Sequence, residues 1–312
     1  MKCKNVVLRH GIPINCGKCM ACRVNDTSQW TVRCLFELND WESASFVTLT
    51  YNNENLPSDF SLKREHLETF IDDVTYDLKI QGRKFKYMAC GEYGEDTTNS
   101  PPGIQHGRPH YHLIMFGLNP DPSDLNNDRH IIANNWKRCE PWMFNWKRKD
   151  NAIDFVNRED IRYVCGYVQK KLNGKLGKDI YGERLPPFRS VSQGLGLKYA
   201  EKHRDRLATL GYVMLNGQKI AIPRYFRRKL DIQQSELVKN PRKEDIQKSV
   251  EFMYGLFVQD MKKAGFWRPA LYDSPENLER RFRWWYDDHM YDISVRVEKD
   301  FLQRRKMFGG KL

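Results

Sequence analysis

The chain of 312 residues carries 52 Lys and Arg against 40 Asp and Glu, a formal net charge of +12, a pI near 9.2, 12% aromatic residues and a mean hydropathy of -0.73. No stretch approaches the roughly 18 apolar residues of a membrane span, and Met1-Lys2-Cys3-Lys4-Asn5 has no apolar signal-type core, so the reading is of a cytosolic protein without a membrane partner. Excess cation with many aromatic rings favours a nucleic acid, through phosphate neutralisation and base stacking. In a reducing compartment the 8 cysteines are thiols or metal ligands rather than disulfides.

Four of those cysteines come early, at Cys3, Cys16, Cys19 and Cys22, the last three within Cys-Gly-Lys-Cys-Met-Ala-Cys. The x2 spacings suit tetrahedral thiolate coordination of a structural Zn²⁺, with Cys3 as the fourth ligand. No second Cys or His pair follows downstream, so free thiols stay open as the alternative. An iron–sulfur site is disfavoured because no fourth Cys followed by Pro completes the run.

Asp26 or Thr27 can then cap a helix with Trp30, Cys34, Leu38 and Trp41 on one stripe and Arg23 and Arg33 exposed. Phe46-Val47-Thr48-Leu49-Thr50-Tyr51 reads as a strand, and Ser61 opens a second helix whose stripe is Leu67, Phe70, Ile71, Val74 and Leu78, with Gly82 as its stop. Phe85 to Tyr93 is another strand. A Gly- and Pro-rich loop from Gly94 to Pro109 leads into His110-Tyr111-His112 and the apolar run to Gly117.

On a strand, positions i and i+2 share a face, so His110 and His112 can hold one metal ion between them. Solvated rings on an edge strand are the bland alternative, but Leu113 to Phe116 are apolar on both faces and bury the strand. His106 competes as a ligand. Ala152 to Val156 is a short further strand. Asn157 caps a helix to about Lys171, before Gly174, in which Tyr163, Tyr167 and Lys170 lie on one face. A packing helix would also show aromatics at this spacing. Paired imidazoles and a metal facing two phenols are what metal-assisted cutting and rejoining of a DNA phosphodiester requires.

The connections favour antiparallel pairing, giving an α+β class with a central antiparallel sheet flanked by helices. Residues 1–44 form a Cys-rich segment and helix, 45–229 the main domain, and 230–312 an added helical region. In that region Arg280-Arg281-Phe282-Arg283-Trp284-Trp285-Tyr286 either touches DNA or a partner, or simply packs.

Gly107-Arg108-Pro109-His110-Tyr111-His112, preceded by Cys90-Gly91-Glu92-Tyr93-Gly94 and followed by Tyr163-Val164-x-x-Tyr167-Val168-x-Lys170-Lys171, resembles the replication initiators of small circular single-stranded DNA bacteriophages. Cys16-Gly17-Lys18-Cys19-x-x-Cys22-Arg23 and Phe46-x-Thr48-Leu49-Thr50-Tyr51 are similar, more narrowly, to the replication-associated proteins of the gokushovirus branch of the microviruses. The likeness covers about residues 16 to 230, and the stretch beyond matches nothing.

The resemblance implies a rolling-circle endonuclease of the HUH superfamily, acting in the cytoplasm of a bacterial host. In that frame His110 and His112 bind Mg²⁺ or Mn²⁺. Glu92 is the third ligand, because such ions prefer oxygen and two imidazoles leave positions open. Tyr163 and Tyr167 become alternating nucleophiles, with Lys170 and Lys171 favouring the phenolate. The protein would nick the origin of supercoiled circular DNA, form a 5′-phosphotyrosine link, leave a 3′-OH for synthesis, and rejoin the displaced strand as a single-stranded circle. The chain has no Gly-x-x-x-x-Gly-Lys-Ser/Thr phosphate loop, so a host helicase and a host DNA polymerase are implied. A single-strand transposase, a plasmid relaxase and a non-enzymatic DNA-binding regulator are the alternatives.

Overall fold

The structure, a computed structural model, describes residues 3, 6–9, 12–17, 20–148, 151–170, 174–215, 217–233, 243–265, 267, 277–282 and 285–286. In chain order its elements are β1 (Val6–Arg9), β2 (Ile12–Asn15), α1 (Met20–Leu38), β3 (Ala44–Leu49), α2 (Arg64–Ile80), β4 (Lys86–Tyr93), β5 (Pro109–Phe116), α3 (Arg129–Asn135) and a 3-10 turn at Pro141–Phe144. There follow β6 (Ile153–Phe155), α4 (Arg158–Lys170), α5 (Gly174–Tyr181), β7 (Phe188–Val191), α6 (Leu197–Lys202), α7 (Arg204–Leu210), β8 (Val213–Leu215), β9 (Gln218–Ile220), α8 (Arg224–Leu230) and α9 (Lys243–Lys263). They divide into two units: Asp26–Lys171 with Gly177–Val238, and Met1–Asn25 with Leu172–Leu176 and Lys239–Leu312.

The first unit is built on a five-stranded sheet in the order β6-β3-β5-β4-β7, with every neighbouring pair antiparallel. The α+β class with a central antiparallel sheet is therefore the observed one. Side chains alternate across a strand, and β5 uses both faces. Tyr111, Leu113 and Met115 pack on Leu67, Phe70, Val74 and Leu78 of α2. Ile114 and Phe116 point the other way, onto Ile161, Val164 and Cys165 of α4 and Cys34 of α1. Burying each such large apolar side chain contributes roughly 1.5–3 kcal/mol, so the central strand is clamped from both sides. By the same alternation His110 and His112 belong to the α4 face.

Helix α2 keeps the expected stripe and ends at Gly82, whose φ of 68° suits a residue without Cβ. It begins at Arg64 rather than at Ser61. The reason is local: the buried Tyr111 hydroxyl donates to the Lys63 carbonyl at 2.7 Å and accepts from the Lys63 amide at 3.0 Å, holding Lys63 extended.

Helix α1 begins at Met20, ahead of the expected caps at Asp26 and Thr27. Thr27 lies inside it, and its hydroxyl donates to the Cys165 carbonyl at 3.3 Å instead of capping. Arg23 and Arg33, read from the sequence as exposed, are both buried. For Arg33 the cause is a layer the periodicity did not reveal: helices α6 to α8 cover the outer side of α1 with Ala200, Leu207 and Phe226 against Val32 and Phe36. The Arg33 guanidinium there lies 4.2 Å from the Trp30 ring centre and 4.1 Å from that of Tyr225, and its Nε donates to the Leu195 carbonyl.

Helix α4 starts as its cap residue dictates. The Asn157 side-chain oxygen accepts from the amides of Glu159 (2.7 Å) and Asp160 (2.9 Å), and the Asp160 carboxylate accepts from the Asn157 amide in return. Gly174, expected to stop this helix, opens α5.

In the second unit β1 and β2 form a hairpin in the register Val6↔Asn15 to Arg9↔Ile12. Phe257 of α9 packs on Phe282 and Tyr286, so these rings of the basic and aromatic run are core residues. No described helix is long and apolar enough to cross a membrane.

Candidate active site

Register brings the site together. In the β4–β5 ladder Glu92 pairs directly with His110 and Cys90 with His112, and in the β3–β5 ladder Thr48 pairs with His112. Directly paired residues project from the same face. Glu92, His110, His112 and Thr48 therefore share the face that α4 covers, near one end of the sheet.

The distances bear out that convergence. Glu92 Oε1 lies 2.7 Å from His110 Nε2 and 3.3 Å from His112 Nε2. One donor atom from each of the three residues falls within 4.8 Å of the others, which makes them a group able to hold a divalent metal. Glu92 and His112 are buried and His110 is partly so.

The outer nitrogens orient the rings. His110 Nδ1 lies 3.2 Å from the Arg108 carbonyl, an acceptor only, so that nitrogen carries the proton. His112 Nδ1 meets the Thr48 hydroxyl at 3.1 Å. With Nδ1 of His110 protonated, its Nε2 faces the carboxylate either as a lone pair, which repels it, or with a second proton. A cation between the three atoms removes the repulsion. Buried imidazole and carboxylate donors with their outer atoms hydrogen-bonded are the usual makings of a metal centre. The donor set fits a divalent ion.

Burial opposes charge on the Glu92 carboxyl. The hydrogen bonds to His110 and His112 nevertheless outweigh it and hold the group below the usual carboxylate range.

Tyr163, in the second turn of α4, stands beside this triad. Its ring centre lies 5.4 Å from that of His112 in an edge contact, and 6.4 Å from that of Phe46, which itself stacks on His112 at 5.7 Å. Ile161, Val164 and Cys165 anchor the helix in the core while Tyr163 remains 49% exposed, so the phenol is held at its base and open to solvent. Partial burial pushes the phenol pKa up to about 12, with the charges of Glu92 and Cys90 adding to the effect. Tyr167 and Lys170 lie in the same helix, but their side chains are outside the described part of the structure, and Lys171 lies outside the described residues.

His106 does not join the triad. It is buried between Tyr93 and Phe60, with ring centres at 3.8 Å and 6.2 Å, and its Nδ1 lies 3.1 Å from the Gly107 carbonyl. The loop from Gly94 to Arg108 closes at its base through Gly94 N–H to Arg108 O (3.0 Å) and Gly107 N–H to Gly94 O (2.8 Å). Arg108 ties that base to the end of β3, donating to Asn53 Oδ1 and to the Tyr51 carbonyl.

Thr48, Phe46 and Arg108 are site residues that the sequence reading did not assign. Their only signal is strand register: counted opposite His112, Thr48 is the partner, but that count needs the pairing. The roomiest described depression, about 1020 Å³ bordered by Trp41, Arg83, Gly117, Asn119 and Asp128, opens at the other end of β5 and is separate from this chemistry.

Residues 44–172 match the family of replication-associated proteins described under the name ORF2. The chain is similar to the replication-associated protein ORF2 of Spiroplasma virus 4, 28% identical over 243 residues that cover 73% of this chain and 70% of that protein. It is 29% identical to the replication-associated protein VP4 of Bdellovibrio phage phiMH2K over 68% of this chain and 65% of that protein. It is also 29% identical to the replication-associated protein ORF4 of Chlamydia phage 1, over 74% of this chain and 57% of that protein. The matched stretch thus spans less than two thirds of the latter two. No solved structure matches the chain.

Proposed function

We propose, for a chain that belongs with the replication-associated proteins of the microviruses, that it initiates rolling-circle replication by cutting one strand of a circular phage genome through a tyrosine ester. The observation that carries the reading is the convergence of Glu92, His110 and His112 beside the half-exposed phenol of Tyr163.

In this reading Glu92, His110 and His112 hold Mg²⁺ or Mn²⁺. The ion supplies positive charge to the scissile phosphate and offsets the carboxylate charge that raises the Tyr163 phenol. Thr48 and the Arg108 carbonyl fix the two imidazoles. Helix α4, seated by Ile161 and Val164, presents Tyr163 for attack on phosphorus. The Tyr163 Oη–P bond forms, the P–O3′ bond breaks, and the phenol proton leaves to solvent as the 3′ oxygen takes one up. The 5′-phosphotyrosine conserves the ester bond, so rejoining needs no ATP. Tyr167, one turn on, is the second nucleophile, with Lys170 and Lys171 stabilising phenolate; two phenols allow cutting and resealing without release.

Exposed aromatic and basic residues support a single-stranded substrate. Trp142 and Trp146 are 45% and 53% exposed, with Arg148 4.4 Å from the Trp142 ring centre and Lys147 5.6 Å from that of Trp146. Rings of this kind stack on unpaired bases. Their segment joins the end of β3 that bears Thr48, through Thr48 N–H to Ala152 O and Ala152 N–H to Met143 O. A host helicase and a host DNA polymerase complete the cycle, and the bacterial cytoplasm is where it runs.

The test is to incubate the protein with supercoiled circular DNA and Mn²⁺ and resolve the products on a denaturing gel. A protein-linked nicked circle is expected, lost in the Tyr163→Phe, Tyr167→Phe double variant. A non-enzymatic DNA-binding regulator would shift the DNA without any covalent adduct.

A further inference from the structure

Outside the site described above, the described residues hold one other group with metal-ligand chemistry: Cys3, Cys16 and Cys22. Three facts characterise it. Cys3 Sγ and Cys16 Sγ are 3.6 Å apart, Cys16 Sγ and Cys22 Sγ are 3.9 Å apart, and all three sulfurs lie within 4.8 Å of one another. None of the three is in a disulfide. The Cys16 amide donates to Cys3 Sγ at 3.4 Å, a bond that favours the thiolate.

These separations have a simple geometric meaning. Zinc–sulfur bonds of about 2.3 Å at tetrahedral angles place neighbouring sulfurs about 3.8 Å apart. A disulfide needs about 2.05 Å, and thiols brought together only by apolar packing have no cause to gather in threes. The remaining described cysteines, Cys34, Cys90, Cys139 and Cys165, are buried in the sheet unit and belong to no such group.

Chain position gives the cluster a role. Cys3 precedes β1, Cys16 follows β2 directly, and Cys22 is in the first turn of α1. The three thus close the open end of the hairpin and tie it to the helix that follows. A two-stranded hairpin is marginal in water on its own, and this one has only four residues in each strand.

We infer that Cys3, Cys16 and Cys22 bind one Zn²⁺ ion as thiolates, releasing their protons on binding, and that the ion fastens the β1–β2 hairpin to the start of α1. Cys19 lies outside the described residues, and the sequence spacing offers it as the fourth donor; a water molecule is the other.

The inference is independent of the nuclease reading, and one set of measurements separates them. The full-length chain, purified without added metal and dialysed, should retain about one zinc per chain by elemental mass spectrometry. A mercurial titrant should release the zinc in step with thiol modification. Zinc content should fall at least tenfold in Cys16→Ser and stay unchanged in the Glu92→Ala, His110→Ala, His112→Ala variant. Should Cys16→Ser fail to fold, cobalt-reconstituted wild-type chain supplies the second readout, thiolate-to-cobalt charge-transfer bands in the near ultraviolet. Retention of zinc by folded Cys16→Ser, loss of zinc from the histidine variant, absence of thiolate bands, or a Cys3–Cys16 disulfide in the native mass would each overturn it.

Discussion

The hydroxyl of Thr48 offers the sharpest test of how the histidine site is held. Thr48→Val keeps the shape of the side chain and removes only the oxygen that meets His112 Nδ1 at 3.1 Å. His112 is 7% exposed, so water does not replace the lost partner. Metal binding through Nε2 requires the proton on Nδ1, and an unpaired buried N–H costs about 1–3 kcal/mol. In the metal-free protein the ring escapes that cost by changing tautomer. The whole penalty therefore falls on binding, and about 1.4 kcal/mol per decade converts it to about 5- to 150-fold weaker Mn²⁺ affinity. Paramagnetic resonance of free Mn²⁺ against protein concentration measures this directly. The metal-free variant should unfold within a few degrees of wild type. An affinity within twofold of wild type would show that Thr48 does not position the ring, and the tautomer argument would fail.

Other outcomes follow from the same structure. A Cβ at Gly107 would collide with the Asp96 and Gly94 carbonyl oxygens, so Gly107→Ala should cost about 1–3 kcal/mol in urea unfolding; an unchanged midpoint would mean the loop base is not fixed as described. Burial lowers the His106 pKa, with Arg184 acting in the same direction against the Gly107 carbonyl. The stability from keeping this ring neutral is complete above its unfolded pKa of about 6.5 and declines as pH falls through the folded value. His106→Phe should therefore lose less stability than wild type between about pH 6.5 and 5, and parallel melting curves across that window would contradict it. Removing divalent ions with EDTA should abolish the covalent DNA adduct while leaving DNA retention on a filter largely intact. Loss of both together would mean the ion serves folding rather than chemistry.

The parts of this protein that could be read from its sequence are those set by short-range periodicity. The period-2 pattern of His110, His112, Ile114 and Phe116 placed both imidazoles on one face, and Asn157 marked the start of the tyrosine helix to the residue. Glu92 could be named because its strand was taken to lie beside the histidine strand, which the ladder bears out. Thr48 could not, since nothing local says which β3 residue stands opposite His112. Arg33 misled for a similar reason: cation patterning reads as solvent exposure until α8 delivers Tyr225 over the guanidinium. Lys63 held out of α2 by the Tyr111 hydroxyl, 48 positions along the chain, is the same lesson at a helix start. Long-range partners decide such points.

The hydrogen-bonded neck formed by Gly94, Gly107 and Arg108 has a consequence for how such proteins diverge. Because the neck completes the ladder before the loop departs, residues can be added to or deleted from 95–106 without shifting the pairing of Glu92 with His110. A deletion inside β5 would instead send the imidazoles through the sheet to the α2 face. Length variation is thus channelled into a segment at the rim of the site and kept out of the donor set. Lineages are free to remodel what the rim touches while the chemistry beneath it is inherited intact.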